Sequence, residues 1–556
     1  MNAQKRKPSK PGKKKGKEPE PKQGLVQSLN AFFSGKEKFF LFLGLFLTAL
    51  ISFLLFQARV SIGGDDSAYI KRAYDLIHYG EFPSFQGPLY PMVLSLGVAA
   101  FGVNLTALKI FSGIFLLVHL YLFYLAYKNR IAALPFVFVL VIISIGAHLL
   151  TYASLTFSEA FFMMLQAGFI YYFFRKFIDS PPAENIKYDY KRYLILGLLA
   201  LLMGLTRHIG YGALIAVLVY FAFEKKWRSI GYTIVSFSAF YSIVSAIKKV
   251  FFNASGIQFS QQLNSLLMKD YYNKSEGKED FVGMLERFWD NVNLYISRDL
   301  LQYIGFRGDQ AEVSSLLSII VLALFLAVII YIYRKNKYLF FTGVYVAILS
   351  GITFFIIQAR WDQERLILVY IPMILLFLLG GLYEFSLNPK FRVVQVLFPG
   401  LLVIMFFTTL KETSTQVRDH RDELVHYLKG DKLYGLTPDW KNYIKMSQYA
   451  AKNVPEGMNI ASRKPGISFI YTGREFTGIY RVPSEDPDEL LNELKSKEAH
   501  YIVMASLRKY PQRKTKYTIN TIQRYLYYIQ QKYPDKIRPL HRIGEDEYAY
   551  LFYLDY

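Results

Sequence analysis

Cysteine is absent from all 556 residues. That excludes a disulfide framework, a thiolate metal site and a thiol nucleophile. Charge is scarce wherever the chain is apolar. More than half of the residues, 53%, are hydrophobic, and the mean hydropathy is +0.20. With uncharged runs of membrane-crossing length, this composition excludes an ordinary soluble domain and points to a polytopic membrane protein. No internal repeat is evident, and no small-residue cleavage motif follows the first apolar run. That run, 39–56, is therefore expected to stay as a transmembrane helix.

Acidic residues are outnumbered, which leaves a formal net charge of +22. The excess lies in the N-terminal tail and in short loops between apolar runs. It is read first as a topology signal, then as attraction to anionic lipid, and last as nucleic-acid binding. Residues 1–38 form a basic tail with Lys13-Lys14-Lys15 at its centre, expected to be disordered and cytoplasmic.

Hydropathy places membrane-crossing helices at 39–56, 105–127, 131–150, 157–174, 193–206, 209–223, 230–250, 313–333, 338–357, 366–385 and 393–409. This makes about eleven. Five connecting segments are basic: Lys128-Asn129-Arg130, Arg175-Lys176 through Lys191-Arg192, Lys225-Lys226-Trp227-Arg228, Arg334-Lys335-Asn336-Lys337 and Lys390-Phe391-Arg392. All fall on the side of the basic tail, which predicts a cytoplasmic N-terminus and an extracytoplasmic C-terminus. The expected organisation is a tail at 1–38, a transmembrane domain at 39–410 and a C-terminal domain at 411–556. The first outer loop spans 57–104 and another spans 251–312. In the last domain, short strands at 458–462, 500–504 and 548–553 alternate with helices at 447–453, 487–497 and 518–532, which predicts a small α/β fold.

The chemistry-bearing residues gather on the outer face. Gly63-Gly64-Asp65-Asp66-Ser67-Ala68-Tyr69 follows the first span. Two glycines permit a tight turn before an acidic pair, and an interfacial helix through Tyr69, Ala73, Leu76 and Ile77 follows. A short apolar helix at 92–101 comes after Gly87-Pro88-Leu89-Tyr90-Pro91. Glu159 opens one span, Arg207 and His208 interrupt an apolar stretch, and Arg360 and Arg365 precede another span. Carboxylates suit proton abstraction or metal binding, and arginines suit phosphate. Each also has a plainer role. Adjacent aspartates occur in solvated loops, and an arginine at a span end can snorkel. A carboxylate suits any helix entry. His208 has no second histidine at ligand spacing.

Taken in order, several of these stretches resemble the GT-C class of glycosyltransferases, in the branch of protein O-mannosyltransferases and lipid A aminoarabinose transferases. They are Asp65-Asp66-Ser67-Ala68-Tyr69, Gly87-Pro88-Leu89-Tyr90-Pro91, Gly204-Leu205-Thr206-Arg207, Glu364-Arg365-Leu366-Ile367-Leu368-Val369-Tyr370-Ile371-Pro372 and Asn453-Val454-Pro455-Glu456-Gly457. The resemblance runs from about Phe39 to the C-terminus. It implies an α-helical polytopic membrane protein of GT-C type with a small C-terminal α/β domain. The implied reaction moves a hexosyl or pentosyl unit, with inversion, from a polyprenyl-phosphate donor to a lipid, glycan or protein acceptor. It would occur on the extracytoplasmic face of the plasma (inner) membrane. Asp65 or Asp66 matches the family's general base, with Asp66 favoured for its position. Arg207 and Arg365 match donor-phosphate contacts, and Glu159, His208 and Arg360 join them as candidate substrate-binding residues. One departure is Leu366, where many members have Tyr. The acidic pair could instead hold a divalent cation, although a clear third ligand is missing.

Two other functions compete. A flippase or transporter of a lipid-linked sugar would place ionisable groups near the midplane and show repeats or broken helices. The span centres are nearly free of charge, which favours the enzyme. A membrane-anchored binding protein needs far fewer spans.

Overall fold

The structure, a computed structural model, describes residues 24–84, 87–181, 186–252, 266–270, 276–308, 311–358, 361–509 and 518–556. Most of the basic tail and Arg360 lie outside the described residues.

The apolar runs fold as helices because a helix satisfies its own backbone where water is absent. Among the described residues, six helices are long and apolar enough to cross a membrane: Glu37–Leu54, Leu105–Tyr127, Trp227–Phe252, Ser315–Ile332, Lys337–Ile356 and Pro389–Leu428. A seventh crossing arises if Ala133–Ile145 and Ala147–Ser154, bent by 55°, count as one. The other expected crossings are shorter, interrupted or, in one case, part of a helix with a charged start. Residues 157–174 become Ser158–Phe173 followed by a wider turn. The run at 193–206 is the end of Ile186–Thr206, and 209–223 is a short turn plus Gly212–Phe223. The run at 366–385 divides into Arg365–Leu368 and Ile371–Ser386.

Hydropathy does not register the breaks at Gly146 and at Val369-Tyr370, because the residues there remain apolar, whereas Arg207 and His208 mark the one after Thr206. Their freed backbone groups need partners. At Gly146, the Thr413 hydroxyl donates to Ile145 O at 2.6 Å and accepts from Ala147 N at 3.3 Å. Thr413 belongs to Arg392–Leu428, a continuous 37-residue helix that begins in an apolar run and ends in a polar one.

The two helices expected after the first span are present, as Asp65–His78 and Leu89–Phe101. Aromatic rings fill much of the helical core; Phe173 and Phe341 stack with centroids 4.4 Å apart.

The C-terminal region is α/β. Its strands are β1 (Ile460–Ser462), β2 (Thr477–Gly478), β3 (Tyr501–Ala505), β4 (Leu507–Arg508), β5 (Thr518–Ile519), β6 (Ile537–Ile543) and β7 (Ala549–Leu554). Five form one sheet, in the order β2-β1-β3-β7-β6. The β2-β1-β3 portion is parallel, and β7 and β6 pair antiparallel. β4 and β5 pair separately. Helices Pro438–Asn453, Pro465–Thr472, Pro487–Ser496 and Thr521–Lys532 accompany the sheets. Sequence patterning misses β6. It is a sheet edge with one buried residue, Ile537, and a bulge between Pro539 and His541. Proline is tolerated there and little alternation is required.

Candidate active site

Gly64 adopts a left-handed φ of +89°, and its N–H closes a turn onto Ser61 O at 3.0 Å. A glycine takes this conformation without steric cost. Helix Asp65–His78 starts at the next residue. Both carboxylates thus stand in its first turn, where unpaired N–H groups favour negative charge.

The two aspartates face different surroundings. Asp66 is fully buried, unlike an aspartate of a solvated loop. Its Oδ2 accepts from Ser61 N and its Oδ1 from Ser67 N, both at 2.8 Å. Burial pushes its pKa up to about 6, against the opposing pull of Lys109 and these two N–H groups. Lys109 is also fully buried. Its ammonium donates to Gln57 O at 2.6 Å and to Arg59 O at 2.5 Å. Asp66 therefore ties down the turn that precedes the helix.

Asp65 is about one-third exposed and pairs with Arg365, Oδ2 to Nη2, at 2.5 Å. Arg365 Nε donates to Gln363 Oε1 at 2.8 Å, and its guanidinium lies 5.0 Å from the Phe157 ring centre. Helical spacing puts Tyr69 and Arg72 on the face of Asp65, at i+4 and i+7. The Tyr69 hydroxyl donates to Ser158 Oγ at 3.1 Å. Arg207 Nη1 also donates to Ser158 Oγ, at 3.2 Å, and reaches Glu159 Oε1 at 2.6 Å. Glu159 is buried, and its Oε2 has no hydrogen-bond partner among the described residues. Asp65, Tyr69, Ser158, Glu159, Arg207 and Arg365 thus join residues from four segments. Formal charge balances across Asp65, Glu159, Arg207 and Arg365.

The sequence motifs have local causes. A Cβ on Gly87 would lie 2.0 Å from Thr206 O, so this glycine lets the chain pack against the backbone just before Arg207. Arg207 ends helix Ile186–Thr206 in an extended conformation, φ −144° and ψ 131°. His208 starts the short turn that follows and is half-buried. Glu364 Oε2 meets His148 Nδ1 at 3.1 Å, beside the bend at Gly146.

Tyr69 was named from the sequence only as part of the Asp65 stretch and its helix, and Ser158, Lys109 and His148 were not singled out as site residues. Tyr69 could have been found from its spacing to Asp65. Lys109 could have been found as a lone charge in an apolar span. Ser158 and His148 gave no comparable signal.

Among the described residues, no three His, Asp or Glu side chains are placed to hold a metal ion. Asp65 is directed to Arg365 and Asp66 to backbone N–H groups, so the acidic pair does not converge on one cation. These residues do not fit a shared divalent ion.

No family model matches the sequence, and no curated protein matches it. Solved structures do. The apo oligosaccharyltransferase of Archaeoglobus fulgidus is 13% identical, with a TM-score of 0.51 over 85% of this chain and 70% of that one. Its complex with Zn and sulfate is 12% identical, with a TM-score of 0.50 over 83% and 67%. ArnT of Cupriavidus metallidurans bound to undecaprenyl phosphate is 11% identical, with a TM-score of 0.49 over 92% and 97%. At these identities, the likeness to the oligosaccharyltransferase is one of fold: the chain shares its architecture of membrane-length helices, and its C-terminal region is a small α/β unit.

Proposed function

We propose that this protein is a membrane glycosyltransferase that moves a sugar from a polyprenyl-phosphate donor to an envelope acceptor on the extracytoplasmic face. The observation that carries this reading is the pair Asp65–Arg365, a partly exposed carboxylate held against an arginine at the start of an apolar helix. A polyprenyl chain stays in hydrocarbon while its phosphate sits at the interface, where Arg365 and Arg207 can receive it. A phosphate on Arg365 replaces Asp65 as its anion. The freed carboxylate then takes the acceptor hydroxyl proton as the oxygen attacks the anomeric carbon. The bond from that carbon to the phosphate oxygen breaks, and the departing phosphate stays with the arginines. A single displacement of this kind inverts the anomeric centre.

Glu159 offers Oε2 to a donor hydroxyl, and His208 borders Arg207 on the same turn. Arg360 remains a candidate from its sequence position alone. Between Asp65 and Asp66, the surroundings favour Asp65 as base, because Asp66 is enclosed and both its oxygens are engaged. A hexosyl or pentosyl donor fits the scheme, and none of its steps uses a metal.

The reading includes about eleven crossings of the plasma (inner) membrane, the half-length helices among them. The tail at 1–38 is cytoplasmic, the transmembrane domain spans 39–410, and the domain at 411–556 is extracytoplasmic. Proteolysis at Lys432 in sealed vesicles of known orientation tests the side.

The activity test uses purified full-length protein, a panel of radiolabelled polyprenyl-phosphate sugars and extracted envelope acceptors. Covalent transfer of label supports the transferase. Movement of label across vesicles without a covalent product supports the flippase or transporter.

A further inference from the structure

The segment between the first span and Asp65 is held from two directions. From the membrane helices, Lys109 holds the carbonyls of Gln57 and Arg59. From the C-terminal domain, the Lys464 ammonium donates to Ile62 O at 3.2 Å and to Gly63 O at 3.0 Å. Those carbonyls immediately precede Gly64 and Asp65. We propose that Lys464 is a positioning residue for the transfer reaction: through it the C-terminal domain holds the turn that aims Asp65. The proposal rests on the transferase reading above.

Lys464 is itself fixed. The buried Tyr443 hydroxyl donates to Lys464 O at 3.0 Å and accepts from Lys464 N at 3.2 Å. The next turn lies against the Asp65 helix, where a Cβ on Gly466 would be 2.9 Å from Ser67 Oγ. Further along, the Tyr471 hydroxyl accepts from Val60 N at 3.2 Å. Arg59 adds an outward tie, to Glu423 at 3.2 Å and to Tyr434 O at 3.2 Å. Domain and turn thus meet through several contacts. The only charged side chain of Pro465–Thr472 or its cap that reaches the 62–63 carbonyls, among the described residues, is Lys464.

The ammonium also faces charged groups. Asp65 and Asp66 act on it from the helix below, Arg463 lies beside it, and the Trp440 ring centre is 6.0 Å away. Burial, with Arg463 in the same direction, lowers its pKa to about 8 despite the two aspartates. Above that pH it loses the charge that strengthens its hydrogen bonds to the turn. A displacement of about 1 Å at a reacting group can cost about 100-fold in rate.

The test uses full-length protein in lipid nanodiscs, with Lys464→Met and Lys464→Arg. For Lys464→Met, kcat should fall about 100-fold with donor KM unchanged. Amide exchange across residues 60–68 should quicken about tenfold. Lys464→Arg should restore both. Wild-type kcat should decline as pH rises through about 8, and the arginine variant should lack that decline because its guanidinium stays charged. Unchanged exchange and kcat in Lys464→Met would overturn the proposal. If that variant does not fold, an identical decline near pH 8 in Lys464→Arg would overturn it. Absence of transfer by the wild-type protein would instead count against the transferase reading, and the exchange rates would still judge the tie.

Discussion

Asp65 and Arg365 are 300 residues apart in the chain and meet at 2.5 Å. The pair joins the first outer helix to the start of a late apolar helix, and it occupies the arginine that a donor phosphate would need. Arg365→Lys keeps the charge but loses the planar fork and the contact to Gln363. Donor KM should rise about 10- to 100-fold, in line with loss of charge-assisted hydrogen bonds. Steady-state kinetics at varied donor concentration measures this, and an unchanged KM would remove Arg365 from the phosphate site.

Asp66→Asn should act on stability. Both Asp66 oxygens accept backbone N–H groups, and asparagine has only one acceptor. One N–H is left facing an NH2, at a cost of about 1–3 kcal/mol. There is also a pH signature. The folded carboxyl binds its proton up to about pH 6, against 3.8 for a freely solvated aspartate. Its contribution is therefore greatest below pH 3.8 and is lost as pH rises through about 6. Thermal unfolding should show this component in wild type and lack it in Asp66→Asn.

Arg207 faces a buried anion. Removing it, as in Arg207→Ala, leaves Glu159 enclosed and unpaired, which costs about 3–5 kcal/mol. The protein should lose much of its stability. The double variant Arg207→Ala with Glu159→Gln should recover most of that stability and still use donor poorly. Unfolding curves separate the two effects. Failure of the second substitution to rescue would mean that Arg207 holds the fold by other contacts.

Gly87→Ala places a methyl group against the Thr206 backbone. Backbone cannot yield as a flexible side chain can, so the turn carrying Arg207 must shift. The expected result is about 100-fold lower turnover in protein that still inserts in the membrane. Wild-type turnover would show that the approach of these segments does not set the site.

The sequence made the membrane class legible because apolar runs of crossing length have few alternative explanations. It also marked the two helices after the first span, the α/β ending and the segments bearing Asp65, Arg207 and Arg365. The break at Gly146 was not legible, because hydropathy continues through it and only a tertiary partner, Thr413, makes it tolerable, whereas Arg207 and His208 marked the break after Thr206. The difference between Asp65 and Asp66 was equally hidden. It depends on Lys109 and on the backbone of Ser61 and Ser67, and adjacent residues on a helix point 100° apart. Lys464 lies about 400 residues from the turn it touches, and no local pattern connects the two.

The central claim is that Asp65 removes the acceptor proton. The most direct measurement is single-turnover transfer of a radiolabelled polyprenyl-phosphate sugar by wild type, Asp65→Asn and Asp66→Asn, with donor binding measured in parallel. The account predicts transfer about 100- to 10,000-fold slower in Asp65→Asn with donor still bound, and a milder loss in Asp66→Asn that follows its lower stability. Wild-type transfer by Asp65→Asn, or its abolition only in Asp66→Asn at unchanged stability, would contradict the account.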